Sequence, residues 1–218
     1  MTHELRTPLT TFRLYSDMLE QDAVKPEKRG TYLRVLSREA DRLSHLVENV
    51  LAFSRIERGN ARSNLRESGV AEVLEACRER CEARLATAGL TLAIQAPPGL
   101  RLRADLAAVE HILFNLVDNA AKYAARGEPP LVEITARAAG CGVEIAVADH
   151  GPGIARDERR RVFKPFHKSA REAAESQPGV GLGLALSRRL ARAQGGDLTI
   201  AEAGLGTCFV LRLPGGDG

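Results

Sequence analysis

The chain has 218 residues, of which 44% are hydrophobic and 27% charged, enough for one or two domains and too ordinary for wholesale disorder. Its 31 basic and 28 acidic residues leave a net charge of +3, and aromatics are 4% with no Trp. Neither a cationic surface nor a base-stacking platform is indicated, so nucleic acid is not expected as a partner. No apolar run approaches about 18 residues and no charged-then-apolar leader opens the chain, so these residues are expected to make no membrane contact.

The first 58 residues read as two helices and a turn. Leu5, Leu9, Phe12, Ser16 and Leu19 recur at alternating four- and three-residue steps, as do Leu33, Leu36, Ala40, Leu43, Val47 and Val50. Gln21 to Lys28 is polar, carries Pro26 and reads as the turn. One antiparallel hairpin has a thin core. A seam this regular is usually completed by a second copy, which predicts a dimeric four-helix bundle. Arg58 to Glu67 is poor in apolar residues and reads as the interdomain linker, assigned to 59–67.

Beyond it the pattern becomes mixed. Val70–Ala88 is helical in character, Leu90–Gln95 is a short strand, and Asp105–Ala125 is a long helix. Leu131–Ala136 and Val143–Ala148 alternate apolar and polar around a turn at Ala139–Gly142. A helix from Leu182 to Ala193 stops at Gly195-Gly196, and a hairpin pairs Leu198–Ala201 with Cys208–Leu213. The expected fold class is α+β, with helices layered on one face of a mixed sheet over residues 68–216. Cys77 and Cys81 lie one helical turn apart and are expected to pack as small hydrophobes. No CxxC pair supports a zinc site, and free thiols fit a reducing cytoplasm.

Four segments carry chemistry. In His3-Glu4-Leu5-Arg6-Thr7-Pro8, neutral imidazole is a nucleophile near neutral pH, Glu4 is a candidate acceptor for its second nitrogen, and Thr7 lies one turn beyond. The plainer reading makes Thr7 an N-cap, Pro8 the first helical residue and His3 part of a loose tail. Asn115, Asn119 and Lys122 form a polar stripe on the long helix, able to hold a hydrated Mg²⁺ and phosphates or simply to face solvent. Asp149-His150-Gly151-Pro152-Gly153 follows a strand, where a carboxylate can accept from an adenine amine and glycines admit a flat base. Gly179-Val180-Gly181-Leu182-Gly183 opens a helix, whose N–H groups suit phosphate. Lys168 to Pro178 before it reads as a mobile lid.

Each segment alone is ambiguous, but their order resembles the catalytic core of bacterial sensor histidine kinases. The resemblance runs from residue 1 to about residue 214 and includes Phe163-Lys164-Pro165-Phe166 and Gly204-Leu205-Gly206-Thr207-Cys208-Phe209. It implies a dimerisation and phosphotransfer hairpin at 1–58 and an ATP-binding domain of the gyrase, chaperone and kinase type at 68–216. His3 would be the phospho-acceptor. Glu4 would orient or deprotonate it, and Thr7 would help hydrolysis of the phosphorylated partner. Asn119 matches the Mg²⁺ ligand, and Asn115, Lys122 and Tyr123 match neighbouring nucleotide contacts. Asp149 matches the adenine-reading carboxylate, with Gly151 and Gly153 as its loop, and Thr207 is a further nucleotide contact. Gly179, Gly181 and Gly183 match the phosphate-side loop, and Phe163 and Phe166 an aromatic box beside the lid.

The implied activity is ATP-dependent histidine phosphorylation in two-component signal transduction. The implied partners are a second copy of the chain and a response-regulator receiver domain, which takes the phosphoryl group on an aspartate. Hydrolytic relatives carry a glutamate where Asn115 stands, which favours a kinase over an ATPase. A non-catalytic dimeric nucleotide-binding scaffold is the alternative from another class. His111, Lys164 and His167 depart from the residues common in the family. Only Met1 and Thr2 precede His3, so residues 1–5 are expected to fray or to depend on another chain. The expected location is cytoplasmic, with any membrane anchor of a parent protein lying outside these residues.

Overall fold

The computed structural model describes residues 2–57, 64–125, 127–167, 181–202 and 204–216, with hairpin side chains described from Leu9 onward at most positions to residue 52. Helix α1 runs Thr2–Glu20 and α2 runs Pro26–Glu57, packed against each other. The helix starts at Thr2 and passes through Pro8, so Thr7 is not an N-cap and residues 2–5 are helical. Pro8 removes one hydrogen bond, but packing of an amphipathic face dominates helix stability. Pro26 is the first residue of α2, where its missing N–H costs nothing. Tyr15 and Tyr32 meet at 4.6 Å between ring centroids and set the register of the hairpin. Val24, in the turn, is 5% exposed, whereas Leu9, Leu14, Leu33, Val47 and Leu51 are each at least half exposed.

The stretch assigned to the linker is partly strand. Strand β1, Arg66–Gly69, pairs antiparallel with β3, Arg101–Ala104, in the register Arg66↔Ala104. Charged side chains hid β1, because its pairing is made by backbone groups and its apolar content is nil. Strand β3 buries Leu102 and Ala104 and exposes Arg101 and Arg103, but four residues are too short a run to register as a pattern.

Helix α3, Val70–Ala86, leads into β2, Thr91–Gln95, and helix α4 spans Leu106–Tyr123. Strands β4, Leu131–Ala139, and β5, Gly142–Asp149, form the expected hairpin. Helix α5, Gly183–Ala193, precedes β6, Asp197–Ala201, and β7, Cys208–Pro214. The main sheet has the order β2-β4-β5-β7-β6, parallel between β2 and β4 and antiparallel elsewhere. It is the mixed sheet expected.

Alternation decides which face is covered. Val132, Ile134, Val143, Ile145, Val147, Phe209 and Leu211 are buried beneath the helices with Leu74, Ile112, Leu113 and Leu116. On the opposite face Glu144 is held between Arg137 and Arg212, which keep its carboxyl below the ordinary range. Cys77 and Cys81 are buried and free, and burial pushes their thiols up to about 12 and about 11. Asp105 caps α4 through Ala108 N–H at 3.3 Å. It also accepts from Asn64 N–H at 3.0 Å, and its own N–H donates to Gln194 at 2.7 Å.

Among the described residues, no helix is long and apolar enough to cross a membrane and no cluster could hold a metal through His, Cys, Asp and Glu alone.

Candidate functional site

Strand β5 ends at Asp149, and the chain turns at once through His150–Gly153. Asp149 Oδ1 accepts the N–H of Gly151 at 2.8 Å and of Thr207 at 3.2 Å. The N–H of Asp149 donates back to the Thr207 carbonyl at 2.9 Å. Burial pushes the Asp149 carboxyl above its ordinary range, and these donors pull it only part of the way back. The loop before β7 lies directly on this turn: a Cβ on Gly206 would sit 1.7 Å from the Asp149 carbonyl oxygen, at φ 79°. Only glycine fits there. The result is a half-buried carboxylate fixed by backbone, with Gly151, Gly206 and Thr207 against it.

The amide stripe lies on α4. Asn115 donates from Nδ2 to Ser187 Oγ on α5 at 3.2 Å, and a Cβ on Gly183 would lie 3.6 Å from Asn115 Oδ1. The first turn of α5 therefore rests against Asn115. Its cap residue, Leu182, offers no side-chain hydrogen bond, so the opening N–H groups of α5 have no side-chain cap. Asn119 and Tyr123 are half-buried on the same helix. Lys122, one turn on from Asn119, is paired with Asp118, its Nζ 2.5 Å from Asp118 Oδ2.

Gly181 has φ 67° and its carbonyl accepts the Phe166 N–H at 2.9 Å. A Cβ there would lie 2.6 Å from the His167 carbonyl oxygen. The phosphate-side loop is thus tied to the Phe163–His167 segment, where His167 Nε2 meets Glu158 Oε2 at 2.6 Å. Phe163 packs edge-on against Phe209 at 6.4 Å, with the Arg188 guanidinium 4.8 Å over its ring, while Phe166 is 48% exposed at φ 61°. Gly179, the expected lid at 168–178, and the side chains of His3, Glu4 and Thr7 lie outside the described residues.

His111, one turn before Asn115, meets Asn49 of α2 at 3.0 Å, and α2 also packs on α5. The sheet domain is therefore seated on the hairpin through the two helices that border the site. With Tyr15 opposite Tyr32, His3 lies level with about residue 44 of α2, and Asn49 lies about 7.5 Å further along the helix axis. The contact falls at the His3 end of the hairpin.

The sequence pointed to Asp149, its glycines, Asn115, Asn119 and Gly183; Asp149 ends the central strand β5 with Gly151 and Gly206 against it, and Gly183 lies against Asn115 of α4. It did not point to Ser187, a buried hydroxyl on the apolar face of α5, or to Asp118 and Arg84. A polar residue at an apolar position of α5 was the available signal for Ser187. A separate cavity of about 260 Å³, lined by Arg101, Cys141 and Gly215, is at the β4–β5 turn. It is at the opposite end of β5 from Asp149.

The donor set suits a magnesium nucleotide. An amide oxygen is a hard neutral ligand for Mg²⁺, an uncapped helix N-terminus suits phosphate, and a fixed carboxylate suits an exocyclic amine. Comparison with known proteins identifies both modules. The family model for histidine kinase-, DNA gyrase B- and HSP90-like ATPases matches residues 104–217. That for the histidine kinase A phospho-acceptor domain matches residues 1–59. The chain is 31% identical over 98% of its length to the sensor-like histidine kinase SenX3 of Mycobacterium tuberculosis, covering 52% of that protein. It spans about half the length of that relative. The Acinetobacter baumannii histidine kinase AdeS has a similar structure, with TM-score 0.75 and 25% identity over 99% of this chain and 98% of that one. Full-length ShkA in complex with AMPPNP gives TM-score 0.71 and 32% identity over 99% of this chain and 45% of that one.

Proposed function

The chain belongs to the histidine kinase family, carrying its phospho-acceptor and ATPase-type modules in order, and we propose that it transfers the γ-phosphoryl group of ATP to His3. One observation supports this reading above the others. The helix bearing Asn115 and Asn119 is docked through His111 on Asn49, at the end of the hairpin where His3 lies. A nucleotide site and a nucleophile on separate modules then need only a modest swing to meet.

Asp149 reads the adenine amine, and Gly151, Gly153 and Thr207 shape the base recess. The N–H groups at Gly181 and Gly183 and the Asn115 amide face the phosphates, with Lys122 and Tyr123 alongside. Asn119 supplies an amide oxygen to Mg²⁺, which when bound neutralises charge on the phosphates. Neutral His3 contributes the lone pair that forms the P–N bond as the bond from γ-phosphorus to the bridging oxygen breaks, leaving ADP. Glu4 accepts the imidazole proton or holds the ring, and Thr7 positions water for the reverse hydrolysis. Most of the catalysis is positioning and charge neutralisation. Asn115 is engaged with Ser187 and an amide is no base, which disfavours the hydrolytic reading.

The exposed seam residues Leu9, Leu33 and Val47 support a dimer through the hairpin. A response-regulator receiver domain, docking on the same hairpin to take the phosphoryl group on an aspartate, is the second partner. These activities place the chain in the cytoplasm.

The test is incubation with Mg-ATP labelled at the γ-phosphate, alongside His3→Gln and Asn119→Ala. Acid-labile, base-stable label lost in both variants is expected. ATP binding without label, lost only in the Asn119 variant, would replace the kinase reading with a nucleotide-binding scaffold.

A further inference from the structure

Asp118 lies between two cations on two different helices. Arg84 Nε, from the last turn of α3, contacts its Oδ1 at 2.7 Å, and Lys122 Nζ contacts its Oδ2 at 2.5 Å. All three side chains are about three-quarters buried, at 27%, 23% and 24% exposure for Arg84, Asp118 and Lys122. The two cations are not equivalent. Arg84 is anchored a second time, with Nη1 donating to Thr87 Oγ1 at 3.0 Å, and that hydroxyl donates to the Arg84 carbonyl at 2.7 Å. Lys122 has a flexible stem and three rotatable donors, and it sits one turn or less from Asn119. A half-buried carboxylate with one counter-ion would hold that ion tightly, because releasing it would leave a desolvated charge unpaired. With two, the mobile one can leave.

We propose that Arg84 is the standing counter-ion of Asp118, and that it frees Lys122 to swing from Asp118 onto the phosphates of a nucleotide at the Asn115–Asn119 stripe. Arg84 and Asp118 are then positioning residues: Asp118 parks Lys122, and Arg84 sets how easily it departs. The inference rests on the nucleotide reading of the stripe and deepens it.

The experiment measures KM and kcat for ATP in autophosphorylation, and titrates AMPPNP, for the full chain and four variants. Lys122→Ala is expected to weaken nucleotide binding about tenfold, the worth of one charge-assisted contact. Arg84→Gln, which leaves Lys122 as the sole partner of Asp118, is expected to raise KM by a similar factor with kcat within about twofold. Arg84→Gln with Asp118→Asn is expected to return KM to the parent value or below it, since no charge then holds Lys122. A loss of packing alone would not be repaired by a second substitution. A double variant as weak as Arg84→Gln, or an unaltered KM in Arg84→Gln when Lys122→Ala is weakened, overturns the proposal while leaving the nucleotide reading in place. Unaltered binding in Lys122→Ala overturns both the role of Lys122 at the phosphates and the proposal. Should Arg84→Gln fail to fold by circular dichroism, Asp118→Asn alone decides. Binding tighter than the parent supports the exchange, and equal or weaker binding overturns it.

Discussion

The helical hairpin and the sheet domain draw on the same apolar residues but finish them differently. In the sheet domain Leu74, Leu113, Leu116, Ile145 and Leu211 are at most 1% exposed, sealed between three helices and five strands. In the hairpin Val24 is the one fully buried apolar residue among those described, and leucines of the heptad seam stand open. Two helices present too little opposing surface to close a seam. A module that buries its own core is self-sufficient, and it can hold polar groups such as Asp149 and Asn115 in fixed places. A module that leaves its core unfinished draws its stability from another surface.

The contrast can be tested by breaking each module in turn. Leu113→Ala deletes atoms from a closed core and is expected to cost the sheet domain about 2–5 kcal/mol, read as a lowered denaturant midpoint. Leu33→Ala in the hairpin is expected to cost under about 1 kcal/mol within one chain. Equal losses for the two would show that the hairpin is as self-sufficient as the domain.

Leu33→Asn addresses the seam more directly. Placing an amide where a second copy is expected to bury leucine should raise the dimer dissociation constant about tenfold or more, by sedimentation, while AMPPNP affinity stays at the parent value. A dissociation constant equal to the parent's would mean that the exposed seam is covered by something else.

The smallest effect separates two carboxylates within the sheet domain. Asp149 has its pKa raised on folding, chiefly by burial. Between the unfolded and folded values the folded chain keeps a proton that the unfolded chain loses, so stability falls as pH rises through that window. The charge of Asp149 at neutral pH is thus a net cost held for function. Asp149→Asn, which keeps an acceptor for Gly151 and Thr207, is expected to leave the melting temperature equal or slightly higher while nucleotide binding is lost. Asp118 has its pKa lowered by Lys122 and Arg84 against the opposing pull of burial. Its contribution is present above its unfolded value and is lost as pH falls through the folded one. Asp118→Asn is therefore expected to lower the melting temperature at pH 7 and to narrow its gap to the parent in acid. Parallel shifts of both variants would contradict this assignment.

Much of the site was legible because its residues are special for local reasons. Asp149 and the glycines after it announce a tight turn, since few residues other than glycine tolerate a positive φ. Asn115 and Asn119 announce one helix face, since helical periodicity is local. Strand β1 was not legible, because Arg66 and Glu67 pair through backbone groups with a strand 35 residues away and leave no apolar trace. The sharing of Asp118 between Lys122 and Arg84 was not legible either, because Arg84 comes from another helix.

By itself the sequence determined the two modules, the helical seams, the mixed sheet and the order of the nucleotide-binding motifs, because each follows from periodicity, turn chemistry or a short run of residues. Tertiary structure alone decided the rest. It set Gly206 against Asp149, joined Asn115 to Ser187, paired Asp118 with Arg84, and seated His111 on Asn49. Each of these contacts joins residues from separate elements, and whether such groups meet depends on how helices and strands pack, which local preferences do not encode.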